Sequence, residues 1–379
     1  MGERKVSWLE LFFDLIFVTA VASTTHLLLS IDNHPDKTAV YFGEYLLMVT
    51  PMFWAWVGQT MFFNRFGEKI KWPELYMLPQ MFFLILMTAS FDLTFSNTYY
   101  TFLIGYLGIR LITVIQYFVI SRKLSGDARK VALMLGGVFL LGVITTATSM
   151  FFDGFWRYFV MYLGISVDII LPLFLSTTLR KVPVDFPHLA ERFGLFVIIT
   201  FGESIVAITT ILVGHTLDWY TIGYAGLGFL IISTLWASYF YSFEKVVDHH
   251  KETHGQFLIY GHFFIIVSVM LLAANLHLLF EGHLAKDVLL LMLFGSVAVF
   301  FISKQLVFAA HKKADVRFYV WKDVCLLGLL IGLFLVNLIG DLPVFVGLGS
   351  VLVCGVVDFW VWVGVGRGVR RGVGLIVKE

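Results

Sequence analysis

At 379 residues, with 59% hydrophobic and 17% aromatic side chains, 14% charged residues and a mean hydropathy of +0.86, the chain is far from soluble proteins. Those run at about 45–50% apolar and about 25% charged, so a soluble protein is excluded. The net charge of +1 leaves out the basic footprint of a nucleic-acid binder, and Cys325 and Cys354, both inside apolar runs, support neither a disulfide framework nor a thiolate metal site.

A bilayer core about 30 Å thick needs roughly 20 mainly apolar residues of helix. Cutting the chain on that rule predicts an all-α polytopic membrane helix bundle of twelve spans. In chain order they run from Trp8 to Ser30, Gly43 to Phe63, Glu74 to Phe91, Asn97 to Ser121, Ala128 to Phe152 and Phe155 to Leu179. The remaining six run from His188 to Gly214, Trp219 to Phe243, Gln256 to Leu279, Asp287 to Ala309, Trp321 to Gly340 and Val344 to Val365. The first is too long for a signal peptide, carries Glu10 and Asp14 and lacks a small-residue cleavage site, so it is expected to stay as a membrane helix. Trp8, Trp72, Trp156 and Trp219 fall at predicted interfaces, where amphipathic rings collect.

Cytoplasmic loops collect Lys and Arg. One set of alternate loops holds Arg4 and Lys5; Arg65, Lys69 and Lys71; Arg122, Lys123, Arg129 and Lys130; Arg180, Lys181 and Arg192. It continues with Lys245 and Lys251; Lys312, Lys313, Arg317 and Lys322; and Arg367, Arg370, Arg371 and Lys378. The opposite set holds Lys37, Arg157 and Lys286. This asymmetry predicts a multi-pass plasma-membrane protein with both termini cytoplasmic.

An even span count raises the prospect of a parallel duplication, with residues 1–184 and 185–379 as six-helix halves. Glu10 and Ser23 recur as Glu191 and Ser204, Trp54 as Trp236 and Tyr76 as Tyr260. Arg110 recurs as Lys304 and Asp168 as Asp358.

Ionisable groups inside a membrane are costly, so they face a bundle interior and find partners. Asp14, Asp168, Glu203 and Asp358 stand against Arg110 and Lys304 within the spans. The repeat suggests Arg110 with Asp168 and Lys304 with Asp358 as buried ion pairs that fix helix register. Asp14 and Glu203 are left as unpaired carboxylates, suited to an ion or proton pathway, with Glu10 one helical turn from Asp14 on the same face. The alternatives for them are a hydrogen bond to a helix end or loop for Asp14, and one to Ser204 or a threonine for Glu203. His250 and His254, in a cytoplasmic His-His-x-x-x-His run with His249, would share a metal only if that segment were helical, and a solvated loop is the simpler expectation. His26, His262 and His277 read as interfacial or hydrogen-bonded histidines. No phosphate-binding loop or nucleophile elbow is present.

Two stretches carry a resemblance. Trp8-Leu-Glu-Leu-Phe-Phe-Asp-Leu-Ile-Phe-Val, and more specifically Glu191-Arg-Phe-Gly-Leu-Phe-Val-Ile-Ile-Thr-Phe-Gly-Glu-Ser-Ile-Val-Ala-Ile, with Tyr260 and His262, resemble the bacterial low temperature requirement protein A family. That resemblance implies a multi-pass membrane protein and carries over no substrate or catalytic residue. The run from Phe12 to Phe17 is similar to the Phe-Ser-Asp motif of endolysosomal and bacterial potassium/proton channels, with Phe13 standing in place of the serine.

The reading that follows is a transporter or channel for a small ion or solute, with proton coupling through the buried carboxylates. Its partners are the lipid bilayer and that ion or solute, with no nucleic acid, no cofactor, and room for a homo-oligomer. The alternatives are a membrane-embedded enzyme or lipid-modifying factor, and a structural or sensory membrane protein linked to cold adaptation.

Overall fold

The computed structural model describes residues 5–91, 95–314, 316 and 320–376, with side chains to residue 364. Arg4, Arg317 and Lys378, used above to orient the chain, lie outside the described residues, as do the side chains of Arg367, Arg370 and Arg371.

The helices are α1 (Trp8–Leu29), α2 (Thr38–Phe66), α3 (Glu74–Thr88), α4 (Phe95–Ser121), α5 (Gly126–Thr148), α6 (Gly154–Phe174) and the single turn α7 (Ser176–Leu179). Then come α8 (Phe186–Gly214), α9 (Trp219–Lys245), α10 (Gln256–Glu281), α11 (Lys286–Ala310), α12 (Val320–Ile339) and α13 (Val344–Ile376). Among the described residues there is no strand, only an isolated antiparallel bridge between Val247 and Lys312. Helices dominate because a lipid-immersed backbone must satisfy its N–H and C=O groups within the segment.

Eleven helices among the described residues are long and apolar enough to cross a membrane. The expected third span, Glu74 to Phe91, is the exception. Its helix α3 has 15 residues, about 22 Å at about 1.5 Å per residue, and gives way to a turn in which Ser90 N–H donates to Met87 C=O. The apolar run is long enough, but the chain leaves the helix before using all of it.

Helix ends follow local chemistry. Ser7 and Glu10 form a capping box at the start of α1: Glu10 N–H donates to Ser7 Oγ at 3.3 Å, and Ser7 N–H donates to Glu10 Oε2 at 3.0 Å. Asp218 caps α9 by accepting from the Thr221 N–H at 2.7 Å, and that backbone donor holds its carboxyl below the usual range.

The chain divides into two compact units. The first comprises Met1–Leu27, Ala39–Leu195 and Glu252–Gln256; the second comprises Leu28–Thr38, Phe196–Lys251 and Phe257–Glu379. In the first, α3 packs on α4, α4 on α5 and α5 on α6. The last two approach closely because Gly142 and Gly164 face each other across them: a Cβ on Gly164 would lie 2.5 Å from the Thr146 backbone nitrogen. α2 is buried along most of its length, while α6 exposes Phe155, Phe159, Ile170 and Phe174. In the second unit α13 packs on α9 and α12, and α11 on α12. There α10 is the buried helix and α12 the exposed one. Trp8, Trp72, Trp156 and Trp219 are all exposed at helix ends or just outside them.

A candidate ion site built on two carboxylates and one arginine

Glu10 and Asp14 stand one turn apart on α1, so both side chains leave the same face. The expectation that Asp14 lacks a cationic partner is overturned. Arg192, counted above as a loop base, lies in the second turn of α8, because that helix begins at Phe186 and runs through it. Its guanidinium forks between the two acids, with Nη1 at 3.0 Å from Glu10 Oε1 and Nη2 at 2.5 Å from Asp14 Oδ1. Arginine suits this place, since its planar donors serve two acceptors at once.

α2 closes the site. Trp56 Nε1 donates to Asp14 Oδ1 at 2.7 Å, Thr60 Oγ1 accepts from Arg192 Nη2 at 3.4 Å, and the Arg192 guanidinium carbon lies 5.6 Å from the centre of the Trp56 ring. Phe193 meets Trp56 edge-on at 4.9 Å. Glu10, Asp14, Trp56, Thr60, His188 and Arg192 are all buried.

His188, one turn before Arg192, presents Nε2 to Glu10 Oε1 at 3.2 Å. Its tautomer follows from Asn64. The Asn64 Oδ1 accepts from the Asp185 N–H at 3.0 Å, so Nδ2 is the donor that bonds the Asp185 carbonyl at 2.8 Å and His188 Nδ1 at 3.1 Å. Nδ1 is therefore an acceptor and the ring proton sits on Nε2, facing Glu10. Among the described residues, Glu10 and Asp14 thus meet the Arg192 guanidinium in a dry setting. Asp14 Oδ2 and both polar atoms of buried Gln59 have no hydrogen-bond partner among the described residues.

Two further buried pairs lie elsewhere. In the first unit Arg110, on α4, sends Nε to Asp168 Oδ2 of α6 at 2.7 Å, where the Tyr106 hydroxyl also donates at 3.1 Å. The guanidinium stacks 4.5 Å from the Phe139 ring and rests against Gly58. In the second unit Lys304 on α11 bonds Asp358 on α13, with Ser238 Oγ donating to the same carboxylate and lying 2.5 Å from Lys304 Nζ. Phe300, Phe301 and Trp362 surround the ammonium at 5.2 to 5.7 Å. Each pair is enclosed by rings and held by an added hydroxyl.

Glu203 is buried on α8 within the second unit. The hydroxyl of Ser204, expected as its partner, makes no hydrogen bond among the described residues. His250 and His254 do not lie on a helix, so the condition for their sharing a metal is not met. The described residues contain no cluster of three or more His, Cys, Asp or Glu side chains able to hold a metal. The His254 backbone carbonyl instead accepts from Arg65 Nη2 at 3.2 Å, and burial keeps its imidazole below the ordinary value. Within α10, His262 donates from Nδ1 to the Leu258 carbonyl at 2.7 Å and accepts from the Tyr239 hydroxyl at 2.7 Å, a fully satisfied histidine. Cys325 and Cys354 are free thiols, the first exposed and the second buried.

An uncharacterized protein of Rhizobium meliloti (strain 1021) is 25% identical over 292 residues, covering 72% of this chain and 69% of that one. The family described as bacterial low temperature requirement A protein (LtrA) matches residues 5–359. That span takes in both carboxylates of α1, the arginine of α8 that bridges them and both buried ion pairs, and the chain belongs to this family.

Proposed function

We propose that this membrane protein is a transporter or channel for a small ion or solute in the plasma membrane, with passage coupled to protonation at the Glu10–Asp14–Arg192 cluster. The observation that carries the reading is the buried cluster itself, in which two carboxylates share one guanidinium and Asp14 Oδ2 accepts no hydrogen bond among the described residues. A proton arriving on Asp14 weakens its tie to Arg192, loosening α1 from the start of α8; its departure restores the tie. Glu203, a second buried carboxylate on α8, is the other candidate carrier.

The same reading has α3 completing twelve spans, with Ala89 to Phe91 adding to its apolar length, and both termini cytoplasmic. The charges at the helix ends support this: with Arg192 set aside, Arg65, Arg129, Lys245 and Lys322 still lie in the first or last turns of their helices, on the ends that the basic loops join. A duplication of residues 1–184 as 185–379 is supported by one cation–carboxylate pair in each unit, Arg110 with Asp168 on α4 and α6, and Lys304 with Asp358 on α11 and α13.

The test is proton and potassium flux into liposomes holding the purified chain, beside Glu10→Gln, Asp14→Asn and Glu203→Gln. Flux that Asp14→Asn abolishes, in a protein whose helical circular dichroism and thermal midpoint persist, supports the cluster. Flux with an unchanged pH profile in all three variants overturns the assigned carboxylates. Absence of both fluxes from the unaltered protein overturns proton and potassium passage.

A further inference from the structure

Within the first unit, α2, α4 and α6 leave between them a cavity of about 750 Å³, the size range of pockets that take drug-sized ligands, about 300–1,000 Å³. Its wall is unusual in one respect. Phe155, Tyr158, Phe159 and Tyr162 form a stripe along one face of α6, Phe95 adds a ring from α4, and α2 contributes Glu44. Among the described residues that line it, Glu44 is the one carboxylate and none is Lys, Arg or His. Phe155 and Phe159 are exposed, so the cavity opens on the surface of its unit.

The geometry points to a binding site for an organic cation with an apolar body, its charge beside Glu44 and its hydrocarbon among the rings of α6. Aromatic faces carry negative potential and attract cations within about 6 Å, most strongly where water is excluded. The carboxylate adds a Coulomb term of the same sign. An anion of the same size meets both as repulsion, and an uncharged acyl chain gains nothing from Glu44. The inner end of the cavity is fixed: the Tyr162 hydroxyl donates to the Leu47 carbonyl at 3.0 Å, tying α6 to α2. Tyr162 also neighbours Tyr106, whose hydroxyl bonds Asp168. The cavity thus ends near Arg110, a cation already matched by the Asp168 carboxylate.

This inference gives a substrate class to the transport reading and rests on it only for the ligand's being carried; occupancy of the site is measured separately. The experiment is equilibrium dialysis of radiolabelled tetraphenylphosphonium against the full chain in lipid nanodiscs, with empty nanodiscs as blank and tetraphenylborate as the anion of matching shape. The expected result is saturable binding of the cation alone. Glu44→Gln weakens it at least about tenfold, Glu44→Asp restores most of it, and Tyr158→Leu weakens it with Glu44 in place. Thermal midpoints confirm that the variants fold, and Tyr158→Leu carries the test if Glu44→Gln does not. Equal binding of both ions, no binding above empty nanodiscs, or undiminished binding in folded Glu44→Gln overturns the site. Binding that persists in a chain without proton or potassium flux overturns proton and potassium passage and leaves the site standing, whereas flux without binding leaves that passage standing and overturns the site.

Discussion

Replacing Arg192 by methionine keeps much of the side-chain volume and removes the one cation between two buried acids. The guanidinium makes contacts of 3.0 Å to Glu10 and 2.5 Å to Asp14, and a longer one of 3.4 Å to Thr60. Both carboxylates are almost wholly shielded, at 1% and 3% exposure, so water cannot take over the lost bonds. Breaking a buried pair from one side costs about 3–5 kcal/mol, chiefly through the charge left behind. Here two such charges remain, and the expected loss for Arg192→Met lies at the upper end of that range. Arg192→Lys retains the charge but has no fork to span both acids, and should lose about 1–3 kcal/mol. The triple variant Glu10→Gln, Asp14→Asn, Arg192→Met removes every charge and should recover most of the stability, because the desolvation cost of the ions vanishes with them. The assay is reversible unfolding in mixed micelles by titration with sodium dodecyl sulfate, followed by tryptophan fluorescence. A folded Arg192→Met within about 1 kcal/mol of the parent, or a triple variant no more stable than the single, would refute the picture of a coupled cluster.

Three other outcomes follow from particular contacts. Asp in place of Asn64 can accept from the Asp185 N–H but cannot donate to His188, so His188 Nδ1 is expected to become a donor; nitrogen chemical shifts of labelled histidine read this directly, and an Nδ1 that stays without a proton contradicts it. Gly58→Ala puts a methyl group against the Arg110 Nη1, whose position Asp168 and Phe139 already fix, and should lower stability by about 1–3 kcal/mol in thermal unfolding, with no change counting against the tight approach. Outside the spans, the Asp32 carboxylate beside His283 raises the value of that imidazole. The contact therefore contributes fully below about pH 6.5, the unfolded value, and fades as pH rises through the higher folded one. The gap in thermal midpoint between the parent and His283→Gln should close with rising pH, and a gap that widens would reverse the sign.

Much of the architecture is legible in the residues because lipid imposes a simple rule, length of apolar run, which locates most of the helices within a few residues. The rule falters at α3, where apolar character continues through Ala89 but the backbone turns at Ser90. The Arg110–Asp168 contact is equally legible, since charges far from either helix end have few partners to choose from. Arg192 escaped for the opposite reason. It lies close to the start of its expected span, where a base is counted with the preceding loop, yet it sits in the second turn of α8 and is buried there. One signal was present: Glu10 and Asp14 share a face, and two acids facing inward call for a cation. The orientation of the His188 ring was not legible, because it depends on Asn64 and the Asp185 backbone, more than a hundred residues apart in sequence.

The brevity of α3 has a consequence for the lipid around it. On the twelve-span reading proposed above, α3, at about 22 Å against a hydrocarbon core of about 30 Å, would cross with a shortfall of several ångströms, even with no tilt. The deficit would then fall on the surrounding membrane, which would thin beside α3 or draw polar headgroups inward, at a fraction of a kcal/mol per Å of mismatch. α3 packs on α4, and α4 carries Arg110, so on that reading the elastic load of the bilayer would act on a helix that holds a buried charge. Chain length and membrane order would thereby become mechanical inputs to the first unit, with shorter or more fluid acyl chains relieving the load.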